Sequence, residues 1–138
     1  MSGSAAFTWP VRVYYEDTDA GDVVYHAGYV RFYERCRTEW LRALGWSQHA
    51  LMTGEAPIAF AVRSMTIEWL KPARLDDLLH VELRVLAARR ASIRFEQRIL
   101  RAGDGTLLST AAVRVACVQV PDFKPTPIPD VLLETLSA

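Results

Sequence analysis

The chain is short of several things, and each shortage excludes something. Only two cysteines, Cys36 and Cys117, occur in 138 residues, and neither stands in a CxxC pair or beside a histidine. That argues against a disulfide framework or a cysteine-based metal module and points to two reduced, buried thiols. No uncharged apolar run approaches the roughly 20 residues that cross a bilayer. Residues 1–10 lack the basic-then-apolar pattern of an export signal. The expectation is a cytoplasmic protein with no membrane span. A surplus of charge is missing too: Lys plus Arg is 16 and Asp plus Glu is 16. Nothing therefore steers the whole molecule toward nucleic acid.

What is present reads as one domain over residues 1–138, with a hydrophobic content of 51% and enough length to bury a core. Residues 11–15 alternate Val11, Val13 and Tyr15 with Arg12 and Tyr14, which predicts a half-buried strand. From Ala27 to Leu44, Tyr29, Phe32, Tyr33, Cys36, Trp40, Leu41 and Leu44 recur at helical spacing. Gly45 stops that helix, and Ser47 is placed to cap a short second one. Residues 58–70 hold apolar groups on two successive phases, which predicts a long strand with a bulge near Arg63 and Ser64.

Two further alternating strands follow, one through Leu79–Val85 and one through Ile93–Ile99. The Gly103-Asp104-Gly105 turn then leads to a last strand, Thr106 to Val120. Pro121, Pro125, Pro127 and Pro129 mark an extended tail, about 121–138, with a short helix at Val131 to Leu136. Four short-linked strands after the helix are expected to be antiparallel neighbours, and their apolar face needs a cover. The long helix is the one large element available, so the fold class is α+β, an antiparallel sheet wrapped around a central helix. Ala112, Ala116, Val118 and Val120 put apolar groups on the second face of the last strand, which predicts a partner there and hence an oligomer.

The chemistry concentrates in Asp17-Thr18-Asp19, with His26 at the door of the helix. A calcium loop starting at Asp17 fails, because its sixth position is Asp22 and its twelfth is Gly28. A phosphotransfer DxD belongs to a doubly wound domain, which the element order does not give. Three carboxylates and one imidazole suit zinc poorly. Asp and Thr before a helix also serve as plain turn formers and caps. Here, however, Gly21 permits a tight turn, and Val23, Val24 and Tyr25 pull the loop inward. That arrangement suits carbonyl chemistry. Free amides at a helix start hold an oxyanion, and a nearby carboxylate attacks the carbonyl or activates water. No GxSxG elbow or Cys/His signature competes.

The stretch RVYYEDTDAGDVVYHAGYVRFYERCRTEWL closely resembles the signature of hotdog-fold acyl-CoA thioesterases of the 4-hydroxybenzoyl-CoA type. The bacterial branch associated with the Tol-Pal envelope system is the more specific likeness, and FAVRSMTIEWLKPARLDDLLHVEL extends it. The resemblance implies a hotdog fold and hydrolysis of acyl-CoA without metal or redox cofactor. It implies a homo-oligomer, dimer or tetramer, with sites at subunit boundaries, and leaves acyl carrier protein as another acyl donor.

By position, Asp19 matches the family's catalytic carboxylate, as nucleophile or general base. His26 matches the polar position at the helix start, and Tyr15 a tyrosine implicated in the branch. Asp17 is left as a loop and capping group. Two departures stand out: Asp22 where the branch usually has a second glycine, and Gly28 where a small polar residue is common. Arg89 and Arg90, in a basic turn, are candidate ligands for CoA phosphates or a plain solvated hairpin. A non-catalytic scaffold that docks carrier protein or envelope and lipid-synthesis partners is the rival reading; a hydratase finds no matching motif.

Overall fold

The structure is a computed structural model and describes residues 6–137. Five strands form one antiparallel sheet: β1 (Phe7–Arg12), β2 (Ile58–Trp69), β3 (Leu78–Ala88), β4 (Ser92–Arg101) and β5 (Leu107–Gln119). Three helices accompany them: α1 (His26–Ala43), α2 (Gln48–Met52) and α3 (Asp130–Ser137). α1 lies across the sheet, so the fold is the hotdog arrangement.

α1 forms where the apolar stripe predicts. Tyr29, Phe32, Tyr33, Cys36, Trp40 and Leu41 are all buried along it. Each such burial contributes on the order of 1.5–3 kcal/mol. Its end is specified by Gly45 at φ +93. There the Trp46 amide donates to the Leu41 carbonyl and the Gly45 amide to that of Arg42, the paired bonds of a Schellman stop. Ser47 caps α2 by accepting from the Ala50 amide at 3.0 Å.

The inner face of the sheet is Leu79, Val81, Leu83, Ile93, Phe95, Ile99, Val113 and Val115, all buried. Gln97 interrupts this face and is fully buried. Its Oε1 accepts from Arg37 Nη1 at 3.0 Å, and its Nε2 donates to the Tyr33 carbonyl at 3.1 Å. The Tyr33 hydroxyl donates to Ser109 Oγ at 2.7 Å. These satisfied polar groups fix how α1 sits on the sheet, because a slide along it would leave each unpaired at a cost of about 1–3 kcal/mol.

Two expectations need correction, and a third is met in part. The strand order is β1-β3-β4-β5-β2, so β2 pairs with β5 and not with its successor β3. Short-linked neighbours hold only for β3, β4 and β5; residues 70–77 instead carry the chain from one edge of the sheet toward the other. The first strand ends at Arg12, and Tyr15–Asp17 form a single 3-10 turn. On the second face of β5, Ala116 and Val118 are closed within the chain, at 6% and 2% exposed, while Ala112 stays exposed and Val120 half-buried.

The proline-rich tail is not loose either. Beyond the start of β4 it takes a place beside β5, with a Val118–Pro125 bridge and the Thr126 amide donating to the Cys117 carbonyl at 3.0 Å. Ile128 and Leu132 then enter the core. The bulge in β2 falls between Val62 and Ser64, as the phase switch predicts. Both cysteines are free and buried.

Candidate active site

Residues 14–25 form a compact loop held to the body of the sheet. Asp17 is buried, and its Oδ2 accepts from the Tyr14 amide at 2.8 Å, the capping role its sequence position predicts. The Thr18 amide and hydroxyl both donate to the Tyr15 carbonyl. Thr18 and Val24 then pair as an isolated bridge, and the Asp19 amide donates to the Val23 carbonyl at 3.0 Å. Between them the chain reverses in a tight turn, closed by the Asp22 amide on the Asp19 carbonyl at 3.1 Å. Asp22 takes φ +64 in this turn, a left-handed conformation that a second glycine would adopt more easily. The far side of the loop is tied to residues 73–75 through Val24 N–H on the Ala73 carbonyl and a Val23–Arg74 bridge.

Asp19 stands exposed at this turn. Its Oδ1 accepts from the Gly21 amide at 2.9 Å, which orients the carboxylate. Its second oxygen has no partner among the described residues. Seven positions later His26 opens α1. The N-cap is Tyr25, which makes no side-chain cap bond. The amides of His26 and Ala27 accordingly have no acceptor among the described residues, and they carry the positive end of the helix dipole. Gly28 completes the turn with its amide on the Tyr25 carbonyl at 2.8 Å. A methyl group at position 28 would come within 2.8 Å of Val24 Cγ1, so the glycine lets the helix start lie close against the loop.

Aromatic rings flank the helix start. The His26 imidazole lies 4.7 Å from the Trp69 ring, centre to centre, and 5.9 Å from Tyr25. Trp69 in turn meets the edge of Tyr29 at 6.3 Å and 89°. The Tyr29 hydroxyl accepts from the Ala73 amide at 2.9 Å, and burial raises its pKa above the usual phenol value. A turn with a half-engaged carboxylate thus sits on the same short loop as a helix start with free amides beside an aromatic wall. A model of the thioesterase-like superfamily matches residues 13–136.

The chain belongs to the thioesterase-like superfamily. It is 54% identical over 123 residues to the acyl-CoA thioester hydrolase YbgC of Escherichia coli, covering 89% of this chain and 90% of that protein. A probable thioesterase from Bartonella henselae superposes with a TM-score of 0.85 at 37% identity, over 91% of this chain and all of that one, 100%. A 1,4-dihydroxy-2-naphthoyl-CoA thioesterase from Synechocystis shares the fold, with a TM-score of 0.88 at 24% identity over 96% of each chain.

Within this thioesterase-like chain the site residues expected from sequence are not all gathered together. Asp19 and His26 belong to one loop-and-helix unit. Tyr15 opens the 3-10 turn below it with its side chain 83% exposed; its carbonyl, not its phenol, is the group engaged. Arg89 and Arg90 lie in the turn after β3, at the end of that strand opposite the loop's attachment near Asp77. Sequence reasoning missed Trp69 and Tyr29 as neighbours of the site. Their involvement depends on β2 running out beside the start of α1, which no local pattern encodes. Further along α1, a cavity of about 320 Å3 opens toward β2 and is lined by Arg37, Trp40, Phe60, Val62 and Phe95 among others. Among the described residues no helix is long and apolar enough to cross a membrane.

Proposed function

We propose that the protein hydrolyses acyl-CoA thioesters to the free acid and CoA, with Asp19 as the reacting carboxylate. The single observation that carries this reading is the pairing of a carboxylate having one oxygen engaged and one free with an uncapped helix start on one short loop.

In the reaction, the thioester carbonyl oxygen is held by the leading amides of α1. Such donors are worth about 3 kcal/mol each to an oxyanion. The Asp19 carboxylate either adds to the carbonyl carbon or takes a proton from a water that adds. In the first course, collapse expels CoA thiolate and leaves an acyl-aspartyl anhydride that water then opens. In the second, collapse of the tetrahedral adduct gives acid and thiolate directly. Thioesters are more reactive than amides, so this equipment suffices without a covalent Ser or Cys. His26 orients the carbonyl and the water. The cavity between α1 and β2, some eleven residues or about 16 Å along the helix from His26, is suited to the acyl group by its aromatic and aliphatic lining.

The working unit in this reading is a homo-oligomer, dimer or tetramer. Its support is the apolar surface left open beside the site, at Val30, Trp69 and Leu70. The test is thiol release from CoA esters of short, long and aromatic acids at neutral pH. Turnover is expected, and the preferred ester names the substrate class. A folded protein inert toward all of them, but capturing acyl carrier protein, would instead favour the scaffold reading.

A further inference from the structure

Residues 70–77, between β2 and β3, fasten both legs of the loop that carries Asp19. On the incoming leg the Val13 amide donates to the Asp77 carbonyl at 2.9 Å, and the Asp76 amide to the Val13 carbonyl at 3.0 Å. On the outgoing leg the Leu75 amide donates to the Asp22 carbonyl at 3.4 Å. The Val23–Arg74 bridge and the Val24 amide on the Ala73 carbonyl lie beside it. The Val23 carbonyl in turn holds the Asp19 amide. The same segment also touches α1, because the Ala73 amide donates to the Tyr29 hydroxyl. Residues 73–77 therefore set the carboxylate and the helix start relative to each other.

Packing alone does little to fix this segment: of residues 70–77 only Ala73 is fully buried. One side chain gathers it instead. Asp77 Oδ2 accepts from the Arg74 amide at 2.9 Å and from Arg101 Nε at 3.1 Å. Arg101, at the end of β4, also donates through Nη2 to the Pro72 carbonyl at 3.2 Å and through Nη1 to Asp104 Oδ2 at 3.3 Å. The Arg101 and Asp77 side chains are only 25% and 20% exposed, so salt screens them less than an open surface pair. Between these anchors Asp76 is held at φ +70, a conformation that persists where its neighbours over-determine it.

We propose that Asp77 is a positioning residue for thioester hydrolysis. Acting through Arg74 and Val23, its carboxylate fixes where Asp19 stands relative to the leading amides of α1. It touches no substrate itself. The inference rests on the acyl-CoA reading and adds to it a residue remote in sequence from the reacting loop. A displacement of about 1 Å in a reacting group is enough to cost a large part of the rate.

The test is a double-mutant cycle on hydrolysis of the preferred acyl-CoA, with Asp77→Ala made in the wild type and in Asp19→Asn. Asp77→Asn keeps an acceptor for the Arg74 amide and is the conservative variant. Arg98→Gln is the control, since it breaks another ion pair, with Glu82 at 2.7 Å, that bears on no part of the loop. In the wild-type background Asp77→Ala should lower kcat about tenfold or more with KM nearly unchanged. Asp77→Asn should recover most of that loss, and Arg98→Gln should lose nothing. In the Asp19→Asn background Asp77→Ala should change the residual rate by less than about twofold, because the group it places is gone. Equal losses in both backgrounds, or full activity in Asp77→Ala, would overturn the assignment. Circular dichroism checks folding, and if Asp77→Ala does not fold, Arg101→Gln runs the same cycle from the partner's side.

Hydrogen exchange at the Asp19 and Val24 amides is read alongside, since it needs no turnover. Their protection should fall in Asp77→Ala and hold in Arg98→Gln. Unchanged protection in an active enzyme would overturn the positioning role and keep the hydrolase. Protection lost in Asp77→Ala of a protein that hydrolyses no thioester would keep the clamp on the loop and remove the hydrolase reading.

Discussion

The imidazole of His26 lies 4.7 Å from the indole of Trp69, and this contact joins the first turn of α1 to the last residue of β2. The indole is 43% exposed, so it walls the site more than it fills the core. Trp69→Ala should therefore lower kcat/KM by about tenfold or more, since small misplacements of a positioning group are costly. The thermal midpoint should move by only a few degrees, in line with about 1 kcal/mol. Steady-state kinetics and a melting curve on the same preparation check both halves. Full activity in this variant would remove the aromatic wall from the mechanism.

Gly28 reads in sequence as a weak spot in a helix, and its replacement by alanine should by propensity gain about 1 kcal/mol. The packing predicts the opposite sign. A Cβ there falls 2.8 Å from Val24 Cγ1, and Val24 is a short, buried, branched side chain with nowhere to turn. Overpacking of this kind costs about 1–3 kcal/mol. Gly28→Ala should lower the urea midpoint and also reduce turnover, because the loop bearing Asp19 must shift. A more stable variant would show that the loop yields freely.

Burial pushes the Cys36 thiol up to about 12 from an ordinary value of 9.0, and its sulfur donates to the Val81 carbonyl at 3.4 Å. Tyr33 is raised as well, chiefly by burial. The folded state thus holds these protons more tightly than the unfolded state. The associated stability is complete below about pH 9 and falls as pH rises toward 12. Urea unfolding at a series of pH values from 8 to 11 should show this alkaline decline, shallower in Cys36→Ala. The same decline in both proteins would assign it to other groups.

Much of the fold was legible because each element carries its own local signal. The α1 stripe, the Gly45 stop, the Ser47 cap, the β2 bulge and the Gly103–Gly105 turn are all set by residues within a few positions of one another. The pairing of β2 with β5 was not legible, because Ser64 and Arg114 meet only after residues 70–77 have crossed the sheet. The extended tail and its short terminal helix were legible, as α3 (Asp130–Ser137) shows, but its docking was not. Four prolines forbid a regular strand, yet single amides at Thr126 and Ile128 are enough to dock it. At the site, Asp19 and His26 could be picked out as neighbours on one loop. Trp69 required the sheet to be assembled first.

The most direct measurement is single-turnover and steady-state hydrolysis of the preferred acyl-CoA by wild type and Asp19→Asn, with circular dichroism to confirm that the variant is folded. The amide keeps an oxygen to accept the Gly21 N–H, so the turn should survive while the negative charge is lost. A fall in kcat of about 10²–10⁴-fold, with little change in KM, is the result this account predicts. Turnover by Asp19→Asn within a few-fold of wild type would contradict it.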